Sequence, residues 1–582
     1  MIGNSLPEYV FIRLCIYFLR YTTPICLAGL AILTAVQHDF HHDPAPTPLA
    51  LLSSPGSTTA RIIIGYAIAD LLYAVFVWRP YNRRLRDETE HPPPLSRADR
   101  RALVGRCLAH VPDLERYLRL WFLGADASEI RRENVREFLL WAFFDRRPRP
   151  RPKSGSESES GSGPAVKKDG EEGLPEEDEE DEAELDEYVA LIERNLGRRV
   201  EPGRGAAEGG LRLTLDPVET RYRSLIWYLI IGLVDVVTHF QLAWGGFQYH
   251  AQPHAAFHSV IPHRAQNLFA SRHSAAPDLG YWHRPHTAKD KLPVVFLHGI
   301  GVGLWTYVSF LSGINEHKVH DDNDDEQIGI IAIEYLPVSF RLTGAPLSKS
   351  EFLEQVTAIL EAHGWDRFVL VTHSYGSVLA THMFQSATLG PRIEAAVLID
   401  PVSILLHLPD VAVNFTRRKP QRANEWMLWY FASMDPGVAH CLGRHFFWKD
   451  NIVWKEDLVN AIEAPAPSTG SSETGADLGS ARRKRRVAVS LAENDLIVDT
   501  LTIAQYLAGD EEWYLGSTGK GSVEQNGVGE IIASAAKSGR GGHVTKDGIE
   551  LMWFPGLDHA QVFSAKENRD RLCSVIQRYC AK

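Results

Sequence analysis

Ser374 stands in Thr372-His-Ser-Tyr-Gly376, between an apolar run at 368–372 and a helical pattern that starts near Tyr375. A strand that turns sharply into a helix holds a serine hydroxyl clear of the backbone, and strand and helix crowd two residues either side of it. Gly376 meets that demand for little side chain. Thr372 is bulkier than the glycine such turns carry, and Thr372→Gly is expected to keep whatever activity the site has. A neutral serine attacks poorly without an adjacent base. Other chemistry-bearing residues follow other apolar runs: His298-Gly299, Asp400, Asp495 and His559. An imidazole can take a hydroxyl proton and return it. A carboxylate can fix the imidazole tautomer and stabilise its cation. A serine between strand and helix is also a common N-cap, so the elements around it decide.

Those elements repeat. Short apolar, β-branched runs at 292–297, 330–334, 368–372, 395–399, 486–491 and 549–554 alternate with helical patterns such as 349–363 and 565–579. Such alternation predicts a parallel sheet covered on both faces. Ligand chemistry in these sheets gathers at the carboxyl ends of the strands. The glycine-rich turn 298–303 lacks the Lys-Ser/Thr that closes a phosphate loop and the acid that accompanies a dinucleotide fingerprint.

With serine, acid and histidine in that chain order, each after a strand, the chain resembles the α/β-hydrolase superfamily over about residues 292–582, in its esterase and lipase branches. His298-Gly-Ile-Gly301, Thr372-His-Ser-Tyr-Gly376 and Asp558-His559 carry the likeness. The resemblance implies an α/β-hydrolase fold: a mostly parallel sheet, helices on both faces and a lid insertion. It implies Ser374 as nucleophile, His559 as base and Asp495 as acid, with Asp400 the alternative acid after the preceding strand. It implies oxyanion donors in the backbone N–H groups of Ile300 and Tyr375. Residues 402–485, rich in Trp and Phe, take the lid position, and 516–548 is a flexible insertion. Aromatics such as Trp426, Trp429 and Trp448 either line an acyl pocket or form the core of the lid. His373 is read as packing, because neighbouring side chains in the turn point apart, and Asp499 as the cap of the helix that follows. The implied reaction is cleavage of a carboxylic ester, with an acyl lipid as the substrate class and no metal or organic cofactor. An acyltransferase with the same triad, and a non-catalytic membrane scaffold with the same fold, are the alternatives.

The first half of the chain reads differently. Apolar segments at 10–36 and 62–78 approach the roughly 20 residues that cross a bilayer. The 37–60 loop between them has no Lys or Arg, whereas Arg79, Arg83, Arg84 and Arg86 follow the second. By the positive-inside tendency this predicts a membrane-anchoring hairpin at 1–95 with its arginine-rich side cytosolic. A third apolar run, 225–247, carries Asp235 in its middle, a cost of about 2.5–3.5 kcal/mol on insertion scales; it is expected to lie in the interface or pack on the catalytic domain. Residues 96–145 read as helices with apolar positions at three and four spacing. Residues 146–187 read as a disordered acidic linker, and 188–291 as a helical or interfacial segment. The net charge of −12 is concentrated in acidic residues near 171–187. No basic patch calls for nucleic acid. The six cysteines show no metal-ligand or disulfide spacing. Asn414-Phe-Thr416 is a possible glycosylation acceptor.

Overall fold

The computed structural model describes residues 2–41, 58–87, 91–146, 176–207, 209–253, 259–316, 326–463, 482–509 and 543–582. They form two compact units, one of Met1–Thr89 with Pro217–Lys582 and one of Glu90–Asp216.

In the larger unit the chain begins with two apolar helices, α1 (Leu6–His41) and α2 (Thr58–Tyr73). A π-helical turn at Ala74–Trp78 and a short helix at Arg79–Arg84 prolong α2. In the smaller unit, α3 (Arg97–Ala109), α4 (Leu114–Trp121), α5 (Arg132–Phe144) and α6 (Glu176–Leu196) surround an aromatic core. Trp121 meets Phe138 and Trp141 there with ring centroids 5.3 and 5.6 Å apart. Ser96 and Asp113 cap α3 and α4, each accepting the N–H three residues on. Helix α6 corrects the expectation of a disordered linker over its acidic half, 176–187. Asp181, Glu182, Glu184, Asp186 and Glu187 pair with arginines of the neighbouring helices, which offsets the repulsion of the charge run. Arg100 donates to Glu184 at 3.0 and 2.5 Å, and Arg132 and Arg136 reach Asp186. Residues 147–175 of that expected linker lie outside the described residues.

The larger unit resumes with α7 (Leu225–Trp244) and a sheet of nine strands in the order β1-β2-β4-β3-β5-β6-β9-β11-β10. The strands are β1 (Gln248–His250), β2 (Gly280–Arg284), β3 (Val294–Leu297), β4 (Ile330–Glu334), β5 (Phe368–His373), β6 (Ile393–Ile399), β9 (Arg486–Ala492), β10 (His543–Val544) and β11 (Ile549–Phe554). Strands β4, β3, β5, β6, β9 and β11 run parallel; β1, β2 and β10 are antiparallel at the edges. Every residue of β3 to β6 is buried, which is why these runs read as continuously apolar. One core cluster joins Phe296, Val369, Val397 and Met552 of the sheet to Phe310, Phe563 and Val575 of flanking helices.

Three corrections to the domain reading follow. The sheet begins at β1, not at residue 292. Strands β1 and β2 are short and histidine-bearing, so they lack the apolar signature of the central ones. Residues 543–548 of the expected flexible insertion form β10 and the turn into β11, while 516–542 lie outside the described residues. Within the lid insertion 402–485, strands β7 (Ala461–Glu463) and β8 (Arg482–Lys484) pair antiparallel.

The apolar helices of residues 1–95 are not a separate domain but part of the larger unit. Asp70 of α2 is fully buried and accepts from Leu225 N–H at 2.6 Å, at the start of α7, and from the Thr23 hydroxyl of α1. One buried carboxylate therefore ties all three helices together. In α7, Asp235 faces inward and pairs with Arg341, with Arg264 Nε at 3.6 Å. The opposite face of α7 exposes Leu229, Leu233, Phe240 and Trp244. By length and composition, Leu6–Ile32, Arg61–Arg84 and Leu225–Trp244 are each apolar enough to cross a membrane.

Candidate active site

The turn after β5 delivers Ser374. Its φ of 51° is left-handed, a conformation that costs a non-glycine residue about 1–3 kcal/mol. The turn is held there from several sides. Ser374 N–H donates to Ile399 O at 3.0 Å. Ser377 Oγ donates to Ser374 O at 2.7 Å and accepts from Val402 N–H at 3.1 Å. The crowding lies at the glycines. A Cβ on Gly376, which opens helix α9 (Gly376–Gln385), would stand 2.3 Å from Leu297 O; one on Gly299 would stand 2.8 Å from Ser374 Cβ. Thr372 raises no such conflict. It sits in β5 between Leu297 and Leu398, buried, with its hydroxyl unpaired among the described residues.

The loops after β9 and β11 bring Asp495 and His559 to the same point. Ser374 Oγ donates to His559 Nε2 at 2.9 Å, and His559 Nδ1 donates to Asp495 Oδ2 at 2.6 Å. Asp495 Oδ1 accepts Ile497 and Val498 N–H at 2.8 and 3.1 Å, which fixes the carboxylate. Burial opposes a charge on His559, but the carboxylates of Asp495, Asp400 and Asp558, Asp495 foremost, together outweigh it and raise the imidazole to about 9. Of the two acids the sequence offers, Asp495 is the one that touches His559. Asp400 follows β6, is fully buried and accepts Ala560 N–H at 2.8 Å. Burial raises its carboxyl above the ordinary range, with Asp495 adding to the rise. Asp499 caps the helix at Thr500–Ala508, accepting Thr502 N–H at 3.1 Å.

The loop after β3 faces the same point. His298 Nε2 accepts Tyr335 N–H at 2.9 Å, so its Nδ1 donates to Gly299 O at 2.8 Å, and the tautomer is fixed. Gly299 N–H donates to Tyr307 Oη at 3.2 Å, and that hydroxyl lies 2.8 Å from His373 Nδ1. The backbone N–H groups of Ile300 and Tyr375 take no backbone or side-chain acceptor among the described residues, leaving both to donate to a ligand. His373 is buried beneath the turn, against Phe563 at 5.0 Å between ring centroids. Burial and the neighbouring His559 keep it well below the ordinary histidine range.

Sequence reasoning missed the support behind His559. Asp558 Oδ1 accepts His559 and Leu496 N–H at 2.7 and 3.0 Å. Asp558 Oδ2 accepts Asn424 Nδ2 at 2.6 Å, from helix α10 (Ala423–Met427) in the lid insertion. Asn424 N–H donates to Asn4 Oδ1 at 3.2 Å, and Gln561 Nε2 to Ile2 O at 3.4 Å. Arg13 of α1 lies 3.8 Å over the Trp426 ring. The N-terminal segment, lid and histidine loop are thus joined. No sequence motif marks Asn424 or Asn4, and both stand among polar or small neighbours, Gln421-Arg-Ala-Asn-Glu425 and Gly3-Asn-Ser5, so no local signal singles them out. Trp426 therefore packs on α1, and Tyr430 is buried beneath Arg223, whose guanidinium is 4.0 Å from its ring. Asn414 donates to Ile497 O at 3.0 Å, so the expected glycosylation acceptor spends its amide inside the fold.

Residues 294–529 match the Alpha/beta hydrolase family. Among solved structures the chain is similar to a membrane phospholipase A described as a novel bacterial virulence factor (12% identity over 61% of this chain and 92% of that one, TM-score 0.32). It is also similar to the carboxylesterase CesB (YbfK) of Bacillus subtilis (9%, 60% and 98%, TM-score 0.31) and to naproxen esterase of the same organism (12%, 52% and 88%, TM-score 0.27). No curated protein matches the sequence.

Proposed function

Taking the chain as a member of the α/β-hydrolase superfamily, we propose that it is a membrane-associated serine hydrolase that cleaves carboxylic esters of acyl lipids. The observation that carries this reading is the unbroken hydrogen-bonded line from Ser374 Oγ through His559 to Asp495. His559 takes the serine proton as Oγ attacks the ester carbonyl, and the developing oxyanion accepts the N–H groups of Ile300 and Tyr375. The imidazolium, stabilised by Asp495, then protonates the departing alcohol. Water attacks the acyl-enzyme by the same route in reverse.

The lipid class is supported by the surface around the site. Helices α1, α2 and α7 expose large apolar side chains, among them Phe11, Phe18, Ile62, Phe76, Leu233 and Phe240. Exposed apolar helix faces of this kind suit a bilayer, and α1 packs against the lid beside the histidine loop. Within this reading 1–89 and 217–253 serve as attachment and 402–460 as lid.

A fluorophosphonate probe tests the mechanism. The folded protein is expected to label once, and Ser374→Ala is expected to abolish the label. Labelling that survives this substitution, or no labelling of folded protein, would overturn the serine mechanism. Release of fatty acid from vesicles of diacyl phospholipid or neutral acylglycerol, with and without an acceptor alcohol, then distinguishes hydrolysis from acyl transfer.

A further inference from the structure

Away from the serine, three histidines from three elements converge: His250 ends β1, His283 lies in β2, and His363 caps helix α8 (Lys349–Ala362). The register explains the first two. His250 stands opposite Tyr281, and His283 is two residues further along β2, so the three share one sheet face. Tyr249 and Trp282, one residue out of phase, enter the core on the other face. One ring nitrogen from each histidine lies within 4.8 Å of the others. The rings of His283 and His363 are 3.9 Å apart between centroids. Tyr281 Oη is 3.1 Å from His250 Nδ1 and 2.9 Å from His363 Nε2.

We propose that His250, His283 and His363 form a binding site for a divalent transition metal, with zinc the ion that fits best and Tyr281 or a water the fourth donor. Imidazole nitrogens suit zinc and its neighbours, whereas calcium and magnesium take oxygen donors. Zinc–nitrogen bonds of about 2.0–2.1 Å in a tetrahedron place ligand nitrogens about 3.4 Å apart. Side-chain rotations that draw them in by about 1 Å therefore complete the set. Metal ligation requires neutral imidazole. Burial, reinforced by the mutual repulsion of the rings and by Arg272, holds His250 down to about 4 and His283 to about 3, and burial lowers His363 as well. Arg272 works against a bound cation, so the affinity has to come from the nitrogen donors. The ion would staple the edge strands β1 and β2 to α8, before the start of β5, whereas Ser374 follows its end. It is structural and takes no part in the ester chemistry.

Full-length protein freed of metal by chelator is titrated with Zn²⁺ by calorimetry and, in parallel, with Co²⁺ by visible absorption. One equivalent of Zn²⁺ is expected, with the intense visible bands of four-coordinate cobalt and a rise in melting temperature that tracks the binding. H283A and H363Q are expected to weaken binding at least tenfold and to lose the cobalt bands. Each is to be compared at an unchanged circular dichroism spectrum, and H363Q at the helix end keeps the test open if H283A fails to fold. Absence of stoichiometric zinc binding, or binding undiminished in a folded variant, overturns the proposal.

Discussion

Two groups of histidines in one domain show opposite electrostatics. His559 is buried and His250, His283 and His363 are half-buried, so burial alone would depress every one of them. His559 lies against the Asp495 carboxylate and is raised to about 9; His283 lies among other imidazoles and falls to about 3. The neighbour outweighs the depth, since the more deeply buried ring is the one that is raised. A carboxylate makes the ring a base that seeks a proton, and a second imidazole makes it a lone-pair donor that refuses one. The same residue type thus suits proton transfer at one place and metal ligation at another.

Substitutions can break this comparison, starting with the largest effect. Ser374→Ala should remove the proton's source and lower ester hydrolysis by more than about 10⁴-fold, measured against a soluble aryl ester. Asp495→Asn should cost about 10⁴-fold. His559 acts as base only when neutral, so the wild-type rate should climb with pH toward about 9. The Asn variant should show that ascending limb at lower pH. Asp400→Asn, which leaves the His559–Asp495 bond intact, should cost less than about tenfold; a loss equal to that of Asp495→Asn would reassign the acid. Gly299→Ala should drive a methyl into Ser374 and displace the loop that carries Ile300, at about 10²–10³-fold in kcat.

The histidine cluster predicts a stability effect rather than a kinetic one. His250 and His283 sit below their ordinary 6.5 when folded. The unfolded chain binds protons there that the folded one refuses, so stability present above about pH 6.5 should be lost as pH falls toward about 4 and 3. Urea melts should show a shallower acid decline in His283→Gln. The smallest effect belongs to Thr372→Val, which replaces a buried unpaired hydroxyl at nearly constant shape and should leave stability unchanged or slightly raised. A loss above about 1 kcal/mol would mean the hydroxyl has a partner.

The central strands were legible because burial on both faces removes polar residues, and 330–334 and 549–554 coincide with β4 and β11. Ser374, His298 and His559 were legible because each follows such a strand. Edge strands β1 and β2 were not, since three and five residues with histidines among them carry no period. The acidic half of α6 was misread because its partners lie on α3 and α5, and charge composition says nothing of who neutralises it. The Asn4–Asn424–Asp558 chain and the three-histidine cluster assemble from residues scattered along the sequence, and no local spacing encodes either. The sequence predicts crowding two residues either side of Ser374; the structure shows it at Gly376, as expected, and at Gly299, while Thr372 is accommodated in the strand.

The bond from Gln561 to Ile2 spans 559 residues. At about 5–20 residues per second, that places roughly 30–110 s between synthesis of its two ends. The segment with Ile2, Asn4 and helix α1 is made at the start of that interval, while its partners Asn424, Trp426 and Gln561 come late. Its exposed Phe11, Leu14 and Phe18 need cover during the wait, and a bilayer met early in translation would supply it. The His559 loop would then dock late, closing onto a segment made roughly 30–110 s before it.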